Sequence, residues 1–162
     1  ESFDRSYPWL YFRSFNSSAM NILILQGPNL NLLGLKSKEI GCRLTLDKLN
    51  KAIRDHIRMK NINLKILQTH KQFQAMNFLQ RNRNLADGLL FIPTSWAKHE
   101  WTLAETLNLV SIPTAIVYFN PPYSFGTTES ESIFNNECHR SFSGQPMETC
   151  LLGMDYLLSV VK

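Results

Sequence analysis

Short, uninterrupted apolar runs separated by one-sided helical stripes recur along this chain, and that alternation leaves few folds open to it. Ile22-Leu23-Ile24-Leu25 is apolar at every position and stops at Gly27-Pro28. A strand with one face in water alternates with period two, whereas a strand covered on both faces reads as a continuous apolar run. Thr45 then offers an N-cap to a helix with apolar positions Leu46, Leu49, Ile53 and Ile57, a stripe at helical spacing. The rhythm repeats. A second strand is predicted at Leu64–Gln68 and a helical pattern through Ala75, Met76, Phe78 and Leu79. Asp87-Gly88 breaks the chain before a third strand, Leu89–Ile92. Leu103, Leu107 and Val110 form the next helical stripe, and Pro113 precedes a fourth strand, Ala115–Phe119. Thr149–Leu152 reads as a short fifth strand, followed by a last stripe of Met154, Leu157, Leu158 and Val161. Strand–helix alternation of this kind predicts an α/β domain, a parallel five-stranded sheet with helices on both faces.

The length of 162 residues suits one such domain with a full core. Two regions break the rhythm. Residues 120–146 are rich in Pro, Ser, Thr, Asn and Glu and read as a long loop, and loops of this length are usually functional. Residues 1–19 form an extension ahead of a domain at 20–162. Its Arg13–Ala19 stretch has the Arg/Ser character of an organelle transit peptide, which points to a mitochondrial address. Yet Tyr7, Trp9, Tyr11, Phe12 and Phe15 do not suit a freely solvated tail, so they are expected to bind a partner or pack on the domain.

The chemistry classes narrow by exclusion. No apolar run approaches the roughly 18 residues of a membrane span. The three cysteines, Cys42, Cys138 and Cys150, include no CxxC pair, so no disulfide framework or zinc knuckle is indicated. Cys138 beside His139 is the one weak metal hint, and no metal or cofactor is expected. A net charge of +4 is compatible with an ordinary wet surface and with RNA as a partner. Neither GxGxxG nor GxxxxGK[ST] is present, so the turn after the first strand is not a phosphate loop.

In an open α/β sheet, ligands bind beyond the carboxyl ends of the strands. After the first strand comes Leu25-Gln26-Gly27-Pro28-Asn29-Leu30-Asn31-Leu32-Leu33-Gly34. This resembles the N-terminal signature of type II 3-dehydroquinate dehydratases, where a strand runs into GPNLNLLG. Asp87-Gly88-Leu89-Leu90-Phe91-Ile92-Pro93 resembles that family's third-strand motif, Ile112-Pro113 the step before its fourth strand, and His139-Arg140-Ser141-Phe142 its basic segment. The resemblance covers residues 20–162 and implies a flavodoxin-like three-layer fold.

It also implies a mechanism. In the family a lid tyrosine, kept anionic by an arginine, removes a proton beside a ketone. An asparagine helps hold the enolate, and a histidine oriented by a glutamate protonates the leaving hydroxyl. Here Asn29 and Asn31 keep the first-loop pattern, but Gly41 stands at the tyrosine position and Lys36 at the arginine. Ile92 stands at the asparagine, Lys98 at a substrate-binding histidine with His99 one place on, Ile116 at the glutamate and Tyr118 at the general-acid histidine. Aliphatic side chains and glycine supply neither a proton acceptor nor a donor.

These substitutions lead to the expectation of a catalytically inactive dehydroquinase-like subunit of a larger mitochondrial assembly, the ribosome or a respiratory complex. Other protein subunits would be its partners, with homo-oligomerisation allowed but not required. The alternative is a divergent dehydratase, a lyase using other groups near Asn29, Lys98, His99 and Glu100. A small-ligand sensor using the same pocket is a third reading. Independently of these readings, Trp96 and Trp101 are expected to fill the pocket or anchor an interface, and His56, His70 and His139 to be structural or surface residues.

Overall fold

The computed structural model describes residues 19–134 and 139–161. Its core is one five-stranded sheet of β1 (Met20–Gln26), β2 (Ile62–Gln68), β3 (Gly88–Ile92), β4 (Thr114–Phe119) and β5 (His139–Gly144), in the order β2-β1-β3-β4-β5. Every pairing is parallel. The helices between them are α1 (Leu33–Glu39), α2 (Leu46–His56), α3 (Gln72–Asn82), α4 (Trp96–His99), α5 (Trp101–Val110) and α6 (Pro146–Val160).

Burial explains why the strands read as they do. β3 and β4 are buried at every residue, because neighbours on both sides supply hydrogen bonds and helices cover both faces. On one face, Ile22, Ile24, Leu90, Ala115 and Val117 pack against Leu49 and Ile53 of α2 and Cys150, Met154 and Leu157 of α6. On the other, Leu23, Leu25, Leu89, Phe91 and Ile116 pack against Ala75 and Leu79 of α3 and Leu103 and Leu107 of α5. The predicted stripes of α2, α3 and α5 are these buried faces. Thr45 caps α2 as expected, accepting from the Lys48 amide at 3.3 Å, a contact worth about 1 kcal/mol.

Two expectations fail at the C-terminal end. Thr149–Leu152 is not a strand: it lies inside α6, which starts at Pro146. Proline is favoured in the first turn of a helix, where its missing N–H costs no hydrogen bond. The fifth strand is instead His139–Gly144, inside the stretch expected to be loop. Its partner is β4, from Thr114↔His139 to Phe119↔Gly144. The long connection therefore runs from Asn120 to the start of β5, and includes a short 3-10 turn at Glu129–Glu131.

Candidate functional site

The chain turns back between β1 and β3, since β2 lies on one side of β1 and β3 on the other. In doubly wound sheets the carboxyl ends of the strands flanking such a reversal are where ligands bind. Gly27 is needed at this point. A Cβ on it would stand 2.3 Å from the Pro93 carbonyl oxygen and 2.7 Å from Thr94 Oγ1. Only a residue without a side chain lets the first loop approach the end of β3 so closely. Thr94 closes the contact by donating its hydroxyl to the Pro28 carbonyl at 2.9 Å. Its φ of 52° is left-handed, unusual for a β-branched residue, and backbone strain of this kind clusters at functional sites.

Beside this junction lies a cleft lined by Ile92, Thr94, Val117, Tyr118, Phe119, Phe125 and Thr127. It encloses about 210 Å³ of empty space, its open mouth included, and is narrow enough to admit about one water molecule. Two walls are the ends of β3 and β4; the third is the 120–134 connection. That connection is tied down over the cleft. The Ile133 amide donates to the Ala97 carbonyl at 2.8 Å. Lys98 Nζ stands 3.9 Å from Glu131 Oε1, and the Ser143 hydroxyl donates to Glu129. Lys36 Nζ sits 5.0 Å from the centre of the Phe125 ring, one of the lining residues.

Two polar groups in the lining are chemically prominent. Tyr118 is buried, and its hydroxyl donates to Ser132 Oγ, which also accepts from the Phe134 amide at 3.1 Å. Burial pushes its pKa above 10, against the pull of the Ser132 hydrogen bond; the Glu129 charge adds to the rise and Ser141 opposes it. Tyr118 is therefore a neutral phenol at physiological pH, a proton donor. Thr127 is also buried, and its hydroxyl has no hydrogen-bond partner among the described residues.

The residues singled out from sequence scatter around this cleft. Ile92 and Tyr118 line it. Lys36 sits over the ring of Phe125, a lining residue, whereas Lys98 pairs with Glu131, which does not line the cleft. Ile116 is fully buried against the α3–α5 layer and does not line it. Asn29 has a left-handed φ of 68° at the start of the 3-10 turn Leu30–Leu32 and makes no side-chain cap bond. Asparagine tolerates this conformation better than most residues. Its carbonyl accepts from the Leu32 amide at 2.9 Å, and the residue is exposed. Asn31, Gly41 and His99 are also exposed, and a Cβ on Gly41 would meet nothing within 4 Å. Trp96 is core and Trp101 is 68% exposed, so neither fills the cleft.

His56 pairs at the surface with Asp155 of α6 at 2.6 Å. Tyr7, Trp9, Tyr11, Phe12, Phe15 and Cys138 lie outside the described residues, as do residues 13–18 of the segment on which the mitochondrial address rests. No helix among the described residues is long and apolar enough to cross a membrane, and none of their side chains form a group of three or more metal ligands.

Thr94, Phe125, Thr127 and Ser132 escape the sequence reading. Thr94 stands one residue beyond the third-strand motif, which is the signal that could have found it. The other three sit in a polar connection where sequence carries no sign of which side chains turn inward.

Fold and cleft define a class: a flavodoxin-like parallel α/β domain with a cleft at the carboxyl ends of β3 and β4. Within that class the chain belongs to the class II dehydroquinase family, whose model matches residues 20–158. It is 31% identical over 143 residues to the 3-dehydroquinate dehydratase of Clostridium acetobutylicum, covering 88% of this chain and 99% of that protein. The 3-dehydroquinate dehydratase of Carboxydothermus hydrogenoformans is 24% identical, covering 88% and 93%. The type II dehydroquinase of Butyrivibrio crossotus shares the fold with a TM-score of 0.75 at 24% identity, covering 87% and 99%.

These matches correct the expectation of an inactive structural subunit of a mitochondrial ribosome or respiratory complex. That expectation rests on side chains compared one at a time with the family's polar set. The relatives that align along nearly their whole length are named as enzymes.

Proposed function

We propose that this protein is a divergent 3-dehydroquinate dehydratase, a lyase that expels water from a cyclic hydroxy-ketone acid. The observation that carries the reading is the 31% identity to a named dehydratase over 99% of that enzyme's length. The cleft supports it with a proton donor of the required kind. The carbon beside the ketone must lose a proton, and the departing hydroxyl must gain one to leave as water. Tyr118 is the donor in this reading: burial keeps it protonated, and its hydroxyl must turn from Ser132 to the substrate for the proton to pass. The described lining offers no carboxylate, so the proton acceptor is left unassigned in this reading. Lys36, over the ring of the lining residue Phe125, is the cation nearest to hand for the substrate's carboxylate. Asn29 offers an exposed amide on the neighbouring loop.

A cyclic acid is much larger than the single water this cleft admits. Segment 120–134 must therefore shift outward to let substrate in and return to exclude water, a gating step common in enzymes. Incubating purified protein with 3-dehydroquinate, and following the absorbance of the conjugated product, tests the proposal. Growth of the product signal in proportion to protein supports it. No signal above the protein-free rate rejects it.

A further inference from the structure

Thr127 is the residue that both lines the cleft and buries an unpartnered hydroxyl. It is 5% exposed, so bulk water does not solvate that group. A buried hydroxyl left without a partner is costly, and such groups in native proteins call for a specific reason. Its surroundings sharpen the point. Ile92, Val117, Phe119 and Phe125 make most of the lining apolar, and the Thr94 hydroxyl is already committed to Pro28. The Tyr118 hydroxyl is committed to Ser132. Among the described residues of the lining, Thr127 thus holds the hydroxyl that has no hydrogen-bond partner in the unliganded fold. Its neighbours fix its place. A Cβ on Gly126 would lie 3.5 Å from Ser95 Cβ, and Thr128 bonds Glu131, which Lys98 faces.

We propose that Thr127 is the specificity anchor of the cleft, its hydroxyl hydrogen-bonding a ring hydroxyl or ketone oxygen of the bound hydroxy-acid. The inference deepens the dehydratase reading and rests on it. A single uncharged polar group in an apolar wall discriminates by penalty: a ring lacking the matching oxygen leaves the hydroxyl unpaired in the complex. Thr127 acts as a binding group and takes no part in proton transfer.

Thr127→Val keeps the branched shape and removes the hydroxyl. Thr127→Ser keeps the hydroxyl and removes the methyl. Three readouts separate the possibilities: the melting temperature, the dissociation constant of the product 3-dehydroshikimate by calorimetry, and KM and kcat for 3-dehydroquinate. The expected result for Thr127→Val is product binding and KM weakened about tenfold, with kcat changed far less and melting temperature level or raised. Thr127→Ser is expected to bind within about twofold of the wild type.

Wild-type binding by Thr127→Val, with the wild type active, overturns the anchor and leaves the dehydratase reading standing. Equal weakening in both variants with a lowered melting temperature also overturns it, because that pattern marks a packing role. A wild type that neither binds product nor turns over substrate overturns both.

Discussion

Replacing Tyr118 with phenylalanine tests the proton-donor assignment at the least structural cost. The ring is packed with Phe91, Ile116 and Phe134 on the α3–α5 side of the sheet, and phenylalanine keeps all of that packing. What disappears is one buried hydroxyl and its hydrogen bond to Ser132. Ser132 Oγ is not orphaned by the change, since it still accepts from the Phe134 amide at 3.1 Å. The stability loss is therefore that of one neutral hydrogen bond, about 1 kcal/mol, rather than the larger penalty of an unsatisfied buried group. For a domain of this size that lowers the melting temperature by about 2–4 °C. The rate effect is far larger: losing a positioned general acid costs about 10²–10⁴-fold. Steady-state kinetics with 3-dehydroquinate, alongside circular dichroism melting, measure both. A kcat within about threefold of the wild type in folded Tyr118→Phe protein, far inside the 10²-fold floor, refutes the assignment.

Two further predictions draw on the same geometry. Gly27→Ala forces a Cβ to within 2.3 Å of the Pro93 carbonyl, so either the first loop or the end of β3 must move. A destabilisation of about 1–3 kcal/mol is expected from denaturant unfolding, with activity lost beyond what that accounts for. The second concerns alkaline stability. Burial pushes the Cys150 thiol far above its ordinary 9.0, and the Tyr118 phenol lies above 10. Both groups have folded pKa values raised over their unfolded ones. Their stabilising contribution is complete below about pH 9 and is lost as pH climbs through the folded values. Urea midpoints should hold steady from pH 7 to about 9 and then fall, first from Cys150 and above about pH 10 also from Tyr118. Cys150→Ala should move the onset upward by about one pH unit; an unchanged onset contradicts the linkage.

The sheet is legible in the sequence because β1, β3 and β4 are covered on both faces and carry unbroken apolar runs. β5 is not, and its composition says why. His139-Arg140-Ser141-Phe142-Ser143-Gly144 is an edge strand held by its ladder to β4, so its side chains need not be apolar. Arg140 instead lies over the rings of Phe142 and Tyr156, at 5.5 and 5.1 Å from their centres. The apolar run at Thr149–Leu152 reads as a strand because four residues cannot distinguish a buried strand from a buried helical turn. Proline at the head of α6 is the signal that tells them apart.

At the site, sequence locates the first loop and the ends of β3 and β4, since both follow from topology. The expectation of inactivity fails for a different reason. Matching Ile92 and Ile116 against an expected polar set treats each position as having one possible role. The fold shows Ile116 facing the core, while Tyr118, whose ring packs on the same side, and Thr127, with an unpartnered hydroxyl, are among the residues that line the cleft. Thr127 gives no sequence signal, because which side chains of a polar connection turn inward is decided by long-range ties such as Ile133 to Ala97.

The central claim is that dehydration takes place in the cleft at the carboxyl ends of β3 and β4. A crystal structure of the protein with bound 3-dehydroshikimate tests it most directly. The ring should lie between Ile92, Thr94 and Phe125, with Tyr118 Oη and Thr127 Oγ1 each about 2.6–3.2 Å from a ligand oxygen. A ring bound elsewhere on the domain, or one in the cleft that neither hydroxyl reaches, contradicts the account.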